Sequence, residues 1–266
     1  MPQPTLAALY RYPVKSLRGE AFDALEVTPR GLAFDRRWML VDEDGGFLTQ
    51  RQHPRMALIQ ARVGADGGLQ LQAPGMPPIE VAPPDAGRRM TVRVWDDRLP
   101  AAPVDPAVGR WLGGILGISC HLVCLADDAR RPVDPDYARP DDQVGFADGF
   151  PFLLISQASL DDLNARLEHP VPMLRFRPNL VVTGCAAFAE DGWRRIRIGG
   201  LGFRVAKPCS RCVIPTIDLE TAEKGREPMQ TLLSYRRRDN KVYFGQNLIH
   251  DGLGTLRVGM PVEVLA

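Results

Sequence analysis

The residues most able to do chemistry in this sequence are two cysteines in the stretch KPCSRCVIPT, residues 207–216. Cys209 and Cys212 lie three positions apart, and the cations Lys207 and Arg211 flank them. This spacing fits four kinds of site: half of a zinc site, a dithiol redox pair, a disulfide, or one reactive thiolate beside a second cysteine.

Composition bears first on the cellular environment of these cysteines. The chain has 266 residues, 45% of them hydrophobic, and a formal net charge of +1. This length suits one large or two modest domains, and the charge balance creates no overall field that would recruit nucleic acid or a membrane surface. The N-terminus lacks the apolar stretch of a signal peptide, and no run approaches the roughly 18 apolar residues of a membrane span. The sequence therefore predicts a soluble, cytoplasmic protein.

The number and placement of the cysteines disfavour a disulfide and a zinc site. The five cysteines are Cys120, Cys124, Cys185, Cys209 and Cys212. An odd number, without a secretory signal, argues against a disulfide framework. A zinc site needs three or four protein ligands, but the histidines are scattered. In ISCHLVCLA, residues 118–126, the alternation predicts a strand with Cys120 and Cys124 on one face, where free cysteine is ordinarily buried.

The residues after the pair disfavour a thioredoxin-like dithiol, which needs its cysteines between a strand and a helix. Residues 213–217, VIPTI, are poor helix formers and predict a strand or a turn. Two alternatives remain open: one functional thiolate stabilised by neighbouring cations, or two buried and inert cysteines. Residues 207–216 alone do not separate them.

Short strands dominate the predicted elements. TLAALYRYPV near the N-terminus, the alternating RMTVRVW and the C-terminal GTLRVGMPVEVLA are typical of strands. Asp-Gly-Gly at residues 44–46 and again at 66–68 predicts two hairpin turns. The sequence therefore predicts a β-rich first half and a return to strand at the C-terminus.

Helices are few. Three are predicted, over residues 105–117, 159–168 and 228–238. The first has Asp105 as its cap, and the second opens with a capping box at Ser159. Many short strands with few helices predict an α+β, β-rich fold, and the glycine-rich nucleotide-binding motifs are absent.

A domain boundary is predicted near residues 118–126, which divides the chain into 1–119 and 120–266. The acidic, proline-rich stretch 127–149 follows it as a long loop. Loops longer than about 12–15 residues are usually functional or disordered, so we expect this one to fold over a ligand.

Basic residues stand at three predicted strand ends. Lys15 follows the first strand, Arg36 precedes the strand at Trp38, and Arg177 precedes PNLVV. The arginine fork suits phosphate, and lysine acts as a point charge. Each of them alone is typical of a solvated surface, and spacing does not show whether they converge.

Six stretches, in fixed order, resemble the MOSC proteins, whose name stands for molybdenum cofactor sulfurase C-terminal domain. They are YRYPVKSLRG, DRRWMLV, PFLLISQASLDDLNARL, FRPNLVVTGCAAFAEDGW, CSRCVIPTID and FGQNL. The resemblance runs from about residue 5 to residue 264 and is strongest to the subgroup that includes the amidoxime-reducing components. It implies a MOSC β-barrel domain behind an N-terminal β-barrel-like α/β region.

The resemblance also implies a cofactor, the molybdenum cofactor, in which a pterin holds the metal. Cys212 matches the molybdenum-ligating cysteine of the family, which makes it the implied catalytic and metal-binding residue, with Cys209 as its neighbour. The matched cofactor-binding positions are Lys15, Ser16, Arg36, Asp148, Gly149, Arg177, Ser210, Arg211 and Asn247.

The activity implied by the resemblance is the two-electron reduction of N–O bonds in amidoximes, hydroxylamines and N-hydroxylated bases. The sequence lacks the cysteine spacing of an iron–sulfur cluster, so we expect electrons from a separate protein, a ferredoxin or a cytochrome b5-like protein with its reductase. We also expect no N-terminal membrane anchor. Two other functions stay open: a sulfur carrier or transferase that binds the cofactor, and a non-catalytic module that delivers it.

Overall fold

The structure is a computed structural model that describes residues 3–85 and 87–266. Within these ranges the strands are β1 Thr5–Arg11, β2 Glu20–Phe22, β3 Ala24–Thr28, β4 Gly31–Leu32, β5 Trp38–Val41, β6 Gln60–Val63, β7 Leu69–Ala73, β8 Met76–Val81, β9 Met90–Val94, β10 Asp97–Pro103, β11 His121–Leu125, β12 Phe152–Ser156, β13 Leu180–Thr183, β14 Arg195–Ile198, β15 Leu201–Ser210, β16 Arg237–Arg238, β17 Lys241–His250, β18 Gly254–Arg257 and β19 Val262–Val264. The α-helices are α1 Pro106–Leu116, α2 Gln157–Asn164 and α3 Met229–Tyr235, and short 3-10 helices cover Pro54–Leu58, Met173–Phe176, Ala189–Gly192 and Ile214–Thr216. This composition confirms the predicted β-rich α+β fold.

The largest sheet has nine strands and joins both ends of the chain. Its order is β19-β14-β15-β17-β12-β13-β1-β2, with β16 paired to β17, and only β12 and β13 run parallel. Alternating residues separate its two faces: Leu180 and Val182 enter one core cluster, and Val181 enters another that also holds residues of α2 and α3. The sheet is therefore covered on both sides.

A second sheet, of order β5-β11-β10-β9, also lies between two cores. Cys120 and Cys124 pack in one core, and Val123 and Leu125 in the other, which confirms that the two thiols share a face. β11 follows the predicted boundary between residues 119 and 120, yet it pairs with β5 and β10 from before it. Strand pairing thus crosses the boundary, whose position stays a prediction.

Turn and cap chemistry explains the elements predicted most closely. The Asp105 side chain accepts a hydrogen bond from the Ala107 amide and caps α1, and Gly117 ends the helix at φ 71°. The turn at 66–68 joins β6 and β7 as an antiparallel hairpin. The turn at 44–46 also reverses the chain, but its second arm forms only isolated bridges, from Phe47 to Val41 and from Gly46 to Arg93, rather than a strand.

Two predicted helices have other bounds. Helix α2 begins two residues before the predicted start, because Ser156 is its cap, whereas the buried Ser159 hydroxyl donates to Glu190. Helix α3 ends at Tyr235, because the next arginines pair with β17 as β16. The turn between β16 and β17 has Asp239 and Asn240 in the left-handed region, the conformation of a tight hairpin. Among the helices that the structure describes, none is both long and apolar enough to span a membrane.

Candidate cofactor pocket and active site

One pocket, with a volume of about 830 Å³, brings the predicted site residues together. Spacing in the sequence did not show this convergence. All ten line its wall: Lys15, Ser16, Arg36, Asp148, Gly149, Arg177, Ser210, Arg211, Cys212 and Asn247. Their individual roles stay predictions.

Tight backbone turns place three of these residues. Ser16, Arg36 and Arg177 have φ values of 66°, 45° and 59°, in the left-handed region that non-glycine residues rarely adopt. Such strain costs on the order of 1–3 kcal/mol, persists where surrounding structure fixes it, and clusters at binding sites. Each turn follows or precedes a strand, so the chain reverses just where a basic side chain enters the pocket.

Arg36 and Arg177 are held side by side on one aromatic ring. Their guanidinium carbons lie 4.2 and 4.4 Å from the ring centroid of Tyr12. Burial raises the pKa of Tyr12, so its phenol is neutral, and its hydroxyl has no hydrogen-bond partner among the described residues. The ring therefore favours the two cations through its π face.

Hydrogen bonds fix the same two arginines. Arg36 donates to the Asp35 carboxylate at 2.5 Å and to the Asn179 side-chain oxygen at 3.1 Å. Arg177 donates to the Leu17 carbonyl oxygen at 2.7 Å. Burial, together with the charge of Arg36, lowers the pKa of Arg177 to about 10, which leaves it charged at neutral pH. Arg36 thus pairs directly with the buried Asp35 carboxylate, whose charge also favours the protonated form of Arg177.

Lys15 and Arg51 hold the Asp148 carboxylate between them. The Lys15 Nζ donates to one Asp148 oxygen at 2.5 Å and to the Phe146 carbonyl at 2.8 Å, and Arg51 donates to the other Asp148 oxygen at 3.0 Å. Burial lowers the pKa of Lys15 to about 8, although Asp148 opposes this shift. Burial alone would raise the pKa of Asp148, but Lys15 and Arg51 outweigh it and hold that pKa below its usual range.

Cys212 follows β15 as a half-buried thiol, and the cation beside it is Arg51. Burial lowers the pKa of Arg51, but Asp148 and the Cys212 sulfur outweigh burial, so the net shift is upward. The Arg51 guanidinium also lies 5.0 Å from the ring centroid of Trp95. Arg51 therefore links the thiol, the carboxylate and the aromatic rim of the pocket.

The cations beside the cysteines in sequence have different partners. Arg211 donates to the Cys209 sulfur at 3.1 Å and to the Phe176 carbonyl at 2.6 Å, and its Nε is buried without a partner among the described residues. The Lys207 Nζ lies 4.4 Å from the ring centroid of Tyr137. The expected cationic surroundings of Cys212 thus come from a distant part of the chain.

Two irregularities in the pairing of β15 with β17 lie beside the pocket. The register shifts between Val205 and Lys207 and again between Pro208 and Ser210. Bulges of this kind re-aim side chains next to active sites. Asn247, on β17, stands opposite Lys207 across the same ladder. After Cys212, residues Ile214–Thr216 form a 3-10 helix, which agrees with the strand or turn predicted for residues 213–217.

The loop that carries Asp148 is tied down by a buried arginine that the sequence did not single out. Arg131 donates to the carbonyl oxygens of Gly145 and Ala147 at 2.9 and 2.5 Å, and to the Asp97 carboxylate at 2.7 Å. The loop 127–149 therefore closes one side of the pocket with a fixed end. The predicted long loop is confirmed, because the described residues 127–149 contain no helix or strand and only one isolated β-bridge, between Pro132 and Gln143.

The donor set suits an anionic ligand that carries a soft metal. No three histidine, cysteine or acidic side chains among the described residues are grouped to hold a metal by themselves. The pocket instead presents two half-buried thiols, Cys209 and Cys212, and several cations, of which Arg211 keeps an unpartnered N–H. Thiolate is a ligand for soft transition metals, and guanidinium groups bind phosphate. These residues fit a metal–pterin cofactor with a phosphate.

Comparisons with known proteins match both halves of the chain. Residues 3–119 match the family model of the MOSC N-terminal beta barrel domain, and residues 141–263 match the MOSC domain. The human mitochondrial amidoxime-reducing component 1 is 35% identical over 280 residues, which cover 98% of this chain and 83% of the relative. The rat mitochondrial amidoxime reducing component 2 is 35% identical over 279 residues, covering 97% and 82%.

The solved structures offer more distant likenesses. The crystal structure of the YUAD protein from Bacillus subtilis covers 98% of this chain and 95% of its own, at 12% identity and a TM-score of 0.47. That score is too low to support a conclusion about this chain.

Proposed function

This chain belongs to the MOSC family, in the subgroup of the amidoxime-reducing components, and we propose that it is a molybdenum-cofactor-dependent reductase of N-hydroxylated compounds. Membership of this family supports a role in molybdenum-cofactor-dependent reduction or sulfur transfer. One observation carries the choice of site: the half-buried Cys212 thiol and the basic residues of three strand ends line the same pocket.

In this proposal the side chains of the pocket divide the work of holding the cofactor. When bound, the molybdenum cofactor supplies the two-electron redox chemistry that side chains lack. Cys212 would ligate the metal as a thiolate, while Lys15, Arg36 and Arg177 would bind the anionic phosphate. The remaining predicted positions, which line the same wall, are Ser16, Asp148, Gly149, Ser210, Arg211 and Asn247.

The chain's own residues would also prepare the site for reduction of an N–O bond, which consumes protons. Asp148 stays ionised between Lys15 and Arg51, so it accepts hydrogen bonds rather than donating them at neutral pH. Lys15, with a pKa of about 8, is able to release and regain a proton at its Nζ near physiological pH. Arg131 keeps the loop closed beside them.

Substrates and partners are proposed from the same family membership. We infer that amidoximes, hydroxylamines and N-hydroxylated bases are the substrates, and that a separate ferredoxin or cytochrome b5-like protein with its reductase supplies the electrons. A cytoplasmic location stays a prediction from composition.

The decisive experiment measures metal and turnover in one set of proteins. We expect molybdenum in equimolar amount by mass spectrometry in the wild-type chain and in the matched control Cys209→Ser, but not in Cys212→Ser, because a hydroxyl is a poor soft-metal ligand. We also expect reduction of benzamidoxime with reduced methyl viologen.

Other results would contradict the proposal in different ways. Wild-type protein without molybdenum, or Cys212→Ser with a full complement, would remove Cys212 from its role. Bound molybdenum without turnover would favour the sulfur carrier or the delivery module. Turnover of a hydroxylamine with NADH as the sole reductant would exclude a separate electron donor.

A further inference from the structure

A second cavity, of about 700 Å³, lies back to back with the candidate active site. Asp35 and Arg37 line this cavity, whereas Arg36 between them lines the active-site pocket. Among the described residues, its wall contains none of the ten predicted site positions. The cavity is therefore a separate space that shares one wall with the site.

Three arginines, Arg30, Arg37 and Arg130, line this cavity. Arg30 and Arg130 keep N–H donors that have no acceptor among the described residues. The Arg30 Nη2 donates to the carbonyl oxygens of Asp127 and Ala129 at 2.7 and 2.6 Å, and the other guanidinium nitrogens of Arg30 donate to none of the described residues. Burial, together with the charge of Arg37, lowers the pKa of Arg30, so the two cations lie close enough to repel each other. Arg130 is exposed in the same wall and has no side-chain partner within the described ranges.

The carboxylates of the wall do not neutralise these arginines fully. Asp35 accepts from the Tyr12 amide and from Arg36, which lie outside the cavity, and Asp128 pairs with Arg89. The three arginines therefore face Glu26, Asp127 and the shared Asp128, whose charge also acts on Arg30. The Asp127 side chain, which pairs with Arg37, is 93% exposed, and such exposed pairs are worth little and exchange easily.

An exposed aromatic ring lies in the wall with the arginines. Phe34 is 42% exposed, and its φ of 64° is a costly conformation for a bulky residue. Its ring stacks on buried Trp38, with centroids 6.1 Å apart and planes inclined by 20°. The exposed part of the Phe34 ring, whose centroid also lies 5.9 Å from the Arg11 guanidinium carbon, is thus held in the same wall as the arginines and the apolar side chains of Leu32 and Leu125.

We propose that this cavity binds a small planar anion, with its ring on Phe34 and its carboxylate or phosphate on Arg37, Arg30 and Arg130. Guanidinium groups bind both acids through paired N–H donors, and aromatic rings stack favourably at this kind of platform. An aromatic carboxylic acid and a nucleotide share this chemistry. Binding in this cavity does not require the proposed reductase activity.

The test titrates the purified 266-residue chain with two probes, benzoate and adenosine monophosphate, by calorimetry. We expect saturable binding of at least one probe, accompanied by a change in tryptophan fluorescence, because Trp38 stacks on Phe34. Arg37→Gln should weaken binding by about tenfold or more, the effect of losing one charge-assisted hydrogen bond. Tighter binding of benzoate identifies a carboxylic acid as the ligand class, and tighter binding of adenosine monophosphate identifies a nucleotide.

Two further variants and a control keep the result decisive. Phe34→Asn suits the left-handed backbone but removes the ring, and Arg130→Gln changes an exposed side chain; both should fold and bind more weakly. The control, Arg51→Gln, alters only the active-site pocket and should bind as the wild type does. The proposal fails if neither probe binds, if the cavity variants bind normally, or if Arg51→Gln abolishes binding.

Discussion

At the scale of single residues, the cations of the candidate active site are held in place by groups far away in the chain. Lys15 is fixed by Phe146 and Asp148, and Arg177 by the Leu17 carbonyl. Side chains ordered before a ligand arrives lose less conformational freedom when it binds. The protein therefore presents a preorganised anion site next to a thiol.

Lys15 makes this anion site sensitive to pH. We expect sulfate, which stays a dianion throughout this range, to bind the wild-type pocket less tightly as the pH rises through about 8, where the Lys15 ammonium group loses its proton. In Lys15→Arg the cation stays charged, so calorimetric affinity should stay constant across this range. An equal loss of affinity in both proteins would show that another group titrates.

The lowered pKa of Lys15 also makes the stability of the folded chain depend on pH. The pKa of Lys15 is lower in the folded chain than its ordinary value of 10.5. The unfolded chain therefore binds more protons between these values, so the cost of burying the charged lysine is present below about pH 8 and disappears as the pH rises towards 10.5.

At the scale of elements, close packing around one turn positions the aromatic ring that supports the arginines. An added Cβ at Gly19 would lie 2.2 Å from the Tyr12 ring, which is fully buried and cannot move aside. Position 19 must therefore be glycine, which has no Cβ, if Tyr12 is to keep its place beside Arg36 and Arg177.

We therefore expect Gly19→Ala to destabilise the protein by about 1–3 kcal/mol, the usual cost of overpacking a core. Urea denaturation measures the loss, and phosphate affinity should fall with it because Tyr12 supports both arginines. The matched control is Gly200→Ala, where an added Cβ meets nothing within 4 Å. Equal stability of the two variants would show that the ring relaxes without cost.

Local chemistry made some of these elements predictable from sequence. The cap at Asp105, the turn at residues 66–68 and the alternation around Cys120 each depend on nearby residues, and each appears as expected. The end of α3 was missed, although Asp-Asn at 239–240 is a hairpin signal that competes with the helix.

Long-range pairing explains what sequence reasoning missed in the site. The ten site positions came from a family resemblance, because spacing alone does not bring the strand ends together. Arg51 lies in none of the six quoted stretches, and Tyr12 and Asn179 lie in two of them without being singled out, since their contacts with the site residues arise only from the tertiary structure. Asn179 offered the one local signal, as a polar residue before an apolar strand that turns out to be 2% exposed.

At the scale of the whole molecule, strands from the two halves of the chain pair with each other in shared sheets. β1 pairs with β13, β18 pairs with β3, and β11 pairs with β5. Among the described residues, three of the four sheets therefore contain strands from both sides of the predicted boundary at residues 119 and 120, whereas the sheet β6-β7-β8 lies wholly before it.

This arrangement predicts one cooperative unfolding transition for the chain. We expect circular dichroism and tryptophan fluorescence to report the same urea midpoint, because the nine-stranded sheet, the sheet β5-β11-β10-β9 and the sheet β18-β3-β4 each need strands from both halves. The fragment 120–266 should not fold alone, since it lacks β1, β3 and β5. Two separate transitions, or a folded fragment, would contradict this.

The thin partition between the two cavities has a thermodynamic consequence. Asp35 and Arg36 are neighbours in the chain and are joined through their side chains, yet they face opposite compartments. A ligand in one cavity that displaces this pair would change the affinity of the other cavity for its own ligand. By linkage, the second ligand would change the affinity for the first by the same factor. The wall would then act as a reciprocal coupling between two ligands that never touch.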